Sequence, residues 1–592
     1  MFWIMKKTLL VTLVLFSLSS WQQPNGGEWK EKVDASLLEK VSTGGEAEFL
    51  ILLRQQADVS GSRQLRLKEE KGQFVFEKLR AAAKESQGTV ITVLEEAKAN
   101  YRPFYIVNAI LAKGSLALIR EVAQLEAVVQ VQDNPIIRMQ EPIEEETEAA
   151  PVSFRNDLVE WGVGNINADD VWAMGYTGQG VVIGGQDTGY DWDHPAIRDT
   201  YRGWDGSEAD HNYNWHDAIH ELIGDPNDTN PCGLDNTEPC DDHSHGTHTM
   251  GTMAGSQSDD GKSIGVAPGA RWIACRNMER GDGTPATYIE CFEWFLAPYG
   301  LNGENPDVRY APHVINNSWS CPTGEGCNPS NFATMEMVVD NLKAAGIVVV
   351  VSAGNDGSAC STVNTPAAMY ENSFSVGATQ PNDSIANFSS RGPVMVDGSG
   401  RLKPNVSAPG VGVRSSVLNG GFATYSGTSM AGPHVAGLVA LLISAKPELA
   451  GQVEMIETII EQTAVHLTSE QSCGPFSGLQ VPNAVYGYGR VDALAAVLEA
   501  LEVTGADERV EAQRLHVFPN PTTGQAYFQM EGLEGDAQVQ AFTLSGQLVY
   551  SGRWSIANGS ILQADLSALP SGIYWYRVVT DGKQFKGKLV KQ

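Results

Sequence analysis

An α/β fold is predicted for the body of this 592-residue chain: a parallel sheet flanked by helices, preceded by a small α+β unit and followed by an all-β sandwich. Three observations carry the prediction. Between residues 155 and 503 short apolar runs alternate with helical patterns, as a parallel sheet with crossover connections requires. One of these runs, Ile347-Val348-Val349-Val350-Val351, is apolar throughout, the mark of a strand buried on both faces. From residue 515 onward the period shortens to two, with turn residues between the runs.

The elements follow in order. Lys6-Lys7, the apolar run Thr8 to Leu18 and the small residues Ser17 and Ser19 read as an export signal over residues 1–20. That run is shorter than the roughly 20 residues a membrane helix needs. No later uncharged run reaches that length, so no transmembrane helix is expected in the mature protein. Residues 33–139 form the α+β unit: a strand at Glu48 to Leu53, a charged helical stretch from Ser62, a strand at Tyr105 to Ala112, helical spacing over 115–125 and a strand at Val128 to Gln132. Glu141 to Ala150 is acidic and poor in aromatics, which suits an exposed linker within 140–154. A second linker covers 504–514, and the C-terminal unit covers 515–592. There Val539 to Phe542 and Gln547 to Tyr550 flank Ser545-Gly546 as a hairpin, and a small β-sandwich is expected.

Composition narrows the function. A formal net charge of −30 argues against nucleic-acid binding, which needs a basic face, and suits a soluble protein outside the cell. Eight cysteines in an exported chain favour disulfides. Cys232 with Cys240 and Cys321 with Cys327 are the expected local pairs; Cys275 and Cys291 sit in apolar contexts and read as buried thiols; Cys360 and Cys473 are unassigned. No Cys–His pattern has zinc spacing. The Asp-, Asn- and Pro-rich stretch from Ile223 to Asp242 reads as a solvated loop, although its oxygens also suit calcium. The metal assignment is therefore unknown.

Three segments carry chemistry. In Gly427-Thr428-Ser429-Met430-Ala431-Gly432 small residues precede a long apolar run, placing Ser429 at a helix N-terminus, where free N–H groups favour developing negative charge. An ordinary capped helix gives the same pattern. In Val181 to Tyr190 an apolar strand ends at Asp187, on the sheet edge where ligands gather in open α/β sheets. An Asp closing a turn before Gly189 is the plainer alternative. In Asp242 to Gly251, His245 precedes Gly246 at the start of a small-residue helix. Asp, His and Ser in this order match one of the orders in which a catalytic triad is assembled.

With Gly185 to Trp192, Trp272 to Met278 and Ile315 to Trp319, these motifs resemble the subtilisin family of serine proteases, of the bacillopeptidase F type, over about residues 155 to 500. The resemblance implies that Ser429 attacks the scissile carbonyl, His245 carries the proton and Asp187 holds the histidine tautomer. It makes His248 structural; His434, which follows Pro433 in the first turn of the serine helix, reads by its position as a packed histidine. It assigns Asn355 to the oxyanion hole, where the residue alone reads equally as a turn before Asp356-Gly357. Ser318, Trp319 and Ser320 match one wall for an extended peptide, Ser352, Ala353 and Gly354 the other, and Asn364 the floor of the primary pocket. Gly432 departs from the family, where serine is common.

Residues 33–139 resemble a subtilisin-type propeptide, which implies a zymogen inhibited by its own propeptide and processed between about Met139 and Phe154. The Pro519-Asn520-Pro521 entry, Leu569 to Tyr574 and Gly587 to Gln592 resemble the C-terminal sorting domain of type IX secretion cargo. The expected function is a secreted serine endopeptidase acting on proteins or peptides, with a non-catalytic surface binding protein of the same fold as the alternative. Export through the periplasm by type IX machinery, to the medium or the outer surface, is expected. No cofactor is required for the chemistry, and structural calcium is allowed.

Overall fold

The computed structural model describes residues 28–144, 158–224, 229–502, 515–518, 522–530, 535–543, 548–556, 560–570, 572–580 and 583–591. The export signal, most of the first linker, the second linker, the Pro519-Asn520-Pro521 entry and the Ser545-Gly546 turn lie outside these residues. The chain divides into two compact units, Met1–Val497 and Leu498–Gln592.

In the first unit, helix α1 (Ala35–Ser42) precedes strand β1 (Ala47–Leu53). The charged stretch forms two helices, α2 (Lys68–Ser86) and α3 (Gly88–Glu96). At the break between them Gln87 turns inward, its Nε2 donating to Phe104 O at 2.8 Å and Asn108 Oδ1 at 2.9 Å. The expected strand from Tyr105 to Ala112 is instead β2 (Tyr101–Phe104) and β3 (Ala109–Gly114), an antiparallel pair joined at 105–108. Side-chain bonds hold that turn. Asn108 Nδ2 donates to Gln55 O and Ser86 Oγ at 2.6 Å each, and the amides of Tyr105 and Ile106 go to a carboxylate outside the ladder. Helix α4 (Leu116–Ala123) and strand β4 (Val128–Asp133) complete a sheet of order β2-β3-β1-β4. Beyond it run two short strands, β5 (Ile137–Arg138) and β6 (Ile143–Glu144). Part of the expected linker, though exposed, is thus paired as strand.

After the short helices α5 (Trp161–Asn165) and α6 (Ala168–Ala173) comes the main sheet. In chain order the elements are β7 (Val182–Asp187), β8 (Trp215–Asp217), helix α7 (His245–Ala254), β9 (Arg271–Arg276), β10 (Met278–Glu279), β11 (Asp282–Gly283), helix α8 (Pro285–Leu296), β12 (Val314–Asn317), helix α9 (Pro329–Ala344), β13 (Val348–Ser352), β14 (Phe374–Thr379) and β15 (Val406–Pro409). Seven of these strands form one parallel sheet in the order β15-β14-β13-β12-β7-β9-β8. Parallel register brings Asp187, Asn317 and Ser352, each the last residue of its strand, to one edge.

The hairpin β16 (Val413–Val417) and β17 (Gly421–Ser426) leads into helix α10 (Thr428–Ala445). This helix is long and apolar enough to cross a membrane, but 94% of its apolar window is buried inside the unit. It packs against β12, β13, β14 and α7. A helix that is apolar all round belongs in a core.

All eight cysteines are paired. Cys232–Cys240 and Cys321–Cys327 form the two local bridges. Cys275 and Cys291, expected as buried thiols, form a disulfide instead, because β9 and α8 pack directly and set their Cα atoms 5.6 Å apart. Cys360 and Cys473 join segments 113 residues apart. Buried Arg276 ties together Asp217, Asn230, Gly233 and Asp242: it donates to Gly233 O at 3.0 Å and Asn230 Oδ1 at 3.1 Å, lies 3.4 Å from Asp217 Oδ2 and pairs with Asp242 Oδ2. Among the described residues no group of three or more His, Cys, Asp or Glu side chains is arranged to hold a metal ion.

The second unit has two antiparallel sheets. One holds β18 (Leu515–Phe518), β19 (Gln525–Met530) and β22 (Ile561–Asp565); the other holds β20 (Gly535–Thr543), β21 (Leu548–Ile556), β23 (Gly572–Thr580) and β24 (Lys583–Lys591). Their common core includes Phe528, Leu562, Val539 and Val578. Non-reducing peptide mapping should recover Cys275 linked to Cys291. Replacing both with alanine should lower stability by about 3 kcal/mol in denaturant melts, the cost of freeing a loop of about 15 residues.

Candidate active site

Helix α10 explains the local geometry around Ser429. Pro433 inside it has no N–H, so the carbonyl of Ser429 loses its usual helical donor. Ser318 Oγ takes that place, donating to Ser429 O at 3.3 Å. Ser352 Oγ donates to Thr428 O at 3.0 Å. Gly432 is accommodated because the helix lies close to β12: a Cβ there would stand 3.0 Å from Asn316 Oδ1. Ser429 itself is buried, and its Oγ donates to Ser318 O at 3.4 Å.

Asp187 and His245 are both buried, with Asp187 Oδ1 at 2.7 Å from His245 Nδ1. The second carboxylate oxygen of Asp187 and His245 Nε2 have no hydrogen-bond partner. Burial alone would push the His245 imidazole down. The charge of Asp187 and its hydrogen bond outweigh this and hold it above the usual histidine range.

Asn355 follows β13 by three residues. Its Oδ1 accepts from Thr428 N at 2.9 Å and Thr428 Oγ1 at 2.8 Å, which fixes the amide so that Nδ2 is its free donor end. Gly354 has φ +104, a left-handed conformation that glycine adopts without strain, and its N–H donates to Thr428 Oγ1 at 3.3 Å. Ala353 N donates to Val376 O at 3.0 Å. The Trp319 indole is buried and stacks on Tyr288 with ring centroids 3.9 Å apart, so it packs into the core. Ser320 and Asn364 are half-buried in the loops after β12 and β13.

The other two histidines are enclosed. His248 Nε2 lies 3.1 Å from Val413 O, its ring stacks on Tyr425, and burial pushes it down to about 3. His434 Nδ1 lies 2.9 Å from Met430 O, and burial pushes it down to about 4.

One wall was not legible in the sequence. β5 pairs antiparallel with β11, Ile137 opposite Gly283, and Met139 N donates to Gly281 O at 2.8 Å. β6 pairs with the end of β17, Ile143 opposite Ser426, three residues before Ser429. Residues 139–143 thus run between β11 and the turn that enters α10. The Gly281-Asp282-Gly283 run was the available signal, but a short Gly-rich turn names no partner.

Comparison with known proteins adds a lineage. The subtilase family model matches residues 178–489, and the model of a secretion system C-terminal sorting domain matches residues 516–592. Bacillopeptidase F of Bacillus subtilis (strain 168) is 34% identical over 533 residues, covering 84% of this chain and 35% of its own length. Subtilisin E of the same organism is 33% identical over 312 residues, covering 52% of this chain and 67% of its own. The alkaline protease of Alkalihalobacillus alcalophilus is 30% identical over 350 residues, covering 59% and 72%. The chain spans about a third of the length of bacillopeptidase F.

These histidines set opposite pH dependences. His248 and His434 stay neutral in the fold down to about pH 3 and 4, while an unfolded histidine gains its proton near about 6.5. Below that pH the unfolded state binds more protons, so their burial costs stability on acidification. His245, held up in the fold, contributes stability that is full at low pH and lost as pH rises through its folded value. Urea melts should show stability falling below about pH 6.5, with a shallower slope in His434→Leu.

Proposed function

Because the chain belongs to the subtilase family, we propose that it is a secreted serine endopeptidase made as a zymogen, cutting proteins or peptides through an acyl-enzyme. The observation that carries this reading is the buried 2.7 Å contact of Asp187 with His245, on helix α7 packed beside α10, whose first turn holds Ser429. In the reaction His245 Nε2, which has no hydrogen-bond partner, takes the Ser429 proton as Oγ attacks the carbonyl, and returns it to the leaving amine. Asp187 fixes the tautomer and stabilises the imidazolium. Asn355 Nδ2 and the Ser429 N–H receive the oxyanion. The preorganisation comes from Thr428, which occupies the other end of the Asn355 amide.

The N-terminal α+β unit acts as propeptide and inhibitor. Its exit segment pairs with β11 at one end, through β5, and with β17 at the other, through β6, in the backbone manner of an extended substrate. Ile137 is fully buried, in the core cluster that contains Tyr288 and Trp319, which supports an apolar preference upstream of the cut. Autoprocessing cleaves a bond between Met139 and Ile143. The sorting-domain match supports export by type IX machinery, with the tail removed afterwards and the enzyme released or attached to the outer surface.

Fluorophosphonate labelling of processed wild type, absent in Ser429→Ala, tests the reading; failure of correctly processed wild type to label would sink it. Asn355→Ala should lower kcat by about 10²–10³, a range measured on subtilisin, a relative, with little change in KM. Ser429→Ala should also stay unprocessed, whereas the mature wild type should begin between Gln140 and Ile143 by N-terminal sequencing.

A further inference from the structure

The segment that precedes α7 is built more elaborately than a loop requires. Asp241 is buried and accepts five hydrogen bonds. Its Oδ1 takes Thr188 Oγ1 at 2.9 Å, His243 N at 2.9 Å and Ser244 N at 3.0 Å. Its Oδ2 takes Thr247 N at 3.0 Å and Thr247 Oγ1 at 2.6 Å. The carboxylate therefore caps the first turn of the helix that begins at His245. It also holds Ser244 at φ +80, a left-handed conformation unusual for a residue with a side chain. Thr188 links the two halves of the site: its N–H donates to Asp187 Oδ1 at 2.8 Å, and its Oγ1 accepts from Gly246 N at 3.1 Å.

The strap bearing Asp241 is itself pinned. Cys240 beside it is bonded to Cys232, and Asp242 after it pairs with buried Arg276 and accepts Arg280 N at 2.8 Å. Arg276 ends β9 directly opposite Asp187 on β7. The strap and the aspartate strand are thus referenced to one point in the sheet.

We infer that Asp241 is a positioning residue for His245, fixing the imidazole against Asp187 and adding a second negative charge behind it. This rests on the catalytic reading given above. Geometry makes the first half of the case: the bonds of Asp241 go to Thr247 in the helix turn that starts at His245, to the His243 and Ser244 amides that lead into that turn, and to the threonine that follows Asp187. Charge makes the second. The charged groups acting on His245 are Asp187 from β7, Asp241 from the strap and Glu141 from the exit segment, all raising its proton affinity; its own helix contributes His248, which burial keeps neutral. Asp242, by contrast, is spoken for by Arg276.

The test is the pH profile of inactivation by a fluorophosphonate in wild type, Asp241→Asn and Asp241→Glu, with thermal melts as the folding control. Asn keeps the shape and loses the charge, so its profile should move to lower pH while the plateau falls about 10- to 100-fold from misplacement of the imidazole. Glu keeps the charge in the wrong place, so its midpoint should stay at the wild-type pH while its plateau falls. A folded Asp241→Asn protein with the wild-type midpoint overturns the inference. So does failure of both variants to fold, which would make Asp241 structural. Absence of labelling in wild type would count against the catalytic reading alone. Nuclear magnetic resonance titration of His245 in the same three proteins would then decide the positioning role by the same shift.

Discussion

Burying a helix with no polar face is the constraint on which the first unit depends. Helix α10 is enclosed along nearly its whole length, so its N-terminal turn, with Ser429, is enclosed as well. Free N–H groups and carbonyls at that turn need partners that water cannot supply. Pro433 adds to the need by removing one internal donor. The partners are Ser318 from the end of β12, Ser352 from the end of β13 and Asn355 just beyond it. The groups that satisfy the helix start are thus the groups that line the candidate site, and the parallel register of β7, β12 and β13 brings them to one edge.

A similar economy holds on the histidine side. Asp187 and His245 are buried together, and a buried pair is sustained only when its remaining polar atoms are engaged or reserved for chemistry. Thr188 N donates to Asp187 Oδ1 at 2.8 Å, beside the contact with His245 Nδ1. What is left without partners, Asp187 Oδ2 and His245 Nε2, lies within the candidate site.

One of the joints between the N-terminal unit and the rest is made by carboxylates on one helix. Glu293 Oε2 accepts Tyr105 N at 2.5 Å and Ile106 N at 2.8 Å, and one turn earlier Glu290 pairs with Arg102 and lies 2.8 Å from both His216 Nε2 and His220 Nε2. Burial pushes Glu293 up to about 8, while Glu290, despite its burial, is held well below the carboxylate range by His216, His220 and Arg102. Asn341 from α9 adds a bond to Ile106 O at 2.6 Å. This joint fixes the unit so that β5 and β6 reach β11 and β17.

Much of this was legible in the residues. The valine run of β13, the small-residue start of α7 and the Ser429 turn each signal their element through local pattern, because strand period, helix period and backbone freedom are properties of a few consecutive residues. The strand misread at Tyr105 to Ala112 and the two cysteines misread as thiols failed for the opposite reason. Asn108 and Glu293 break that strand, and Cys275 meets Cys291, through contacts that no local pattern records. The sequence alone determined which residue types stand at which strand and helix ends, and so the order Asp187, His245, Ser429. Only the tertiary structure decided which atoms meet: Asp241 under α7, Thr428 behind Asn355, Gly281 beside Met139. Such pairings depend on the packing of segments far apart in the chain, where the burial of α10, rather than local preference, sets the distances.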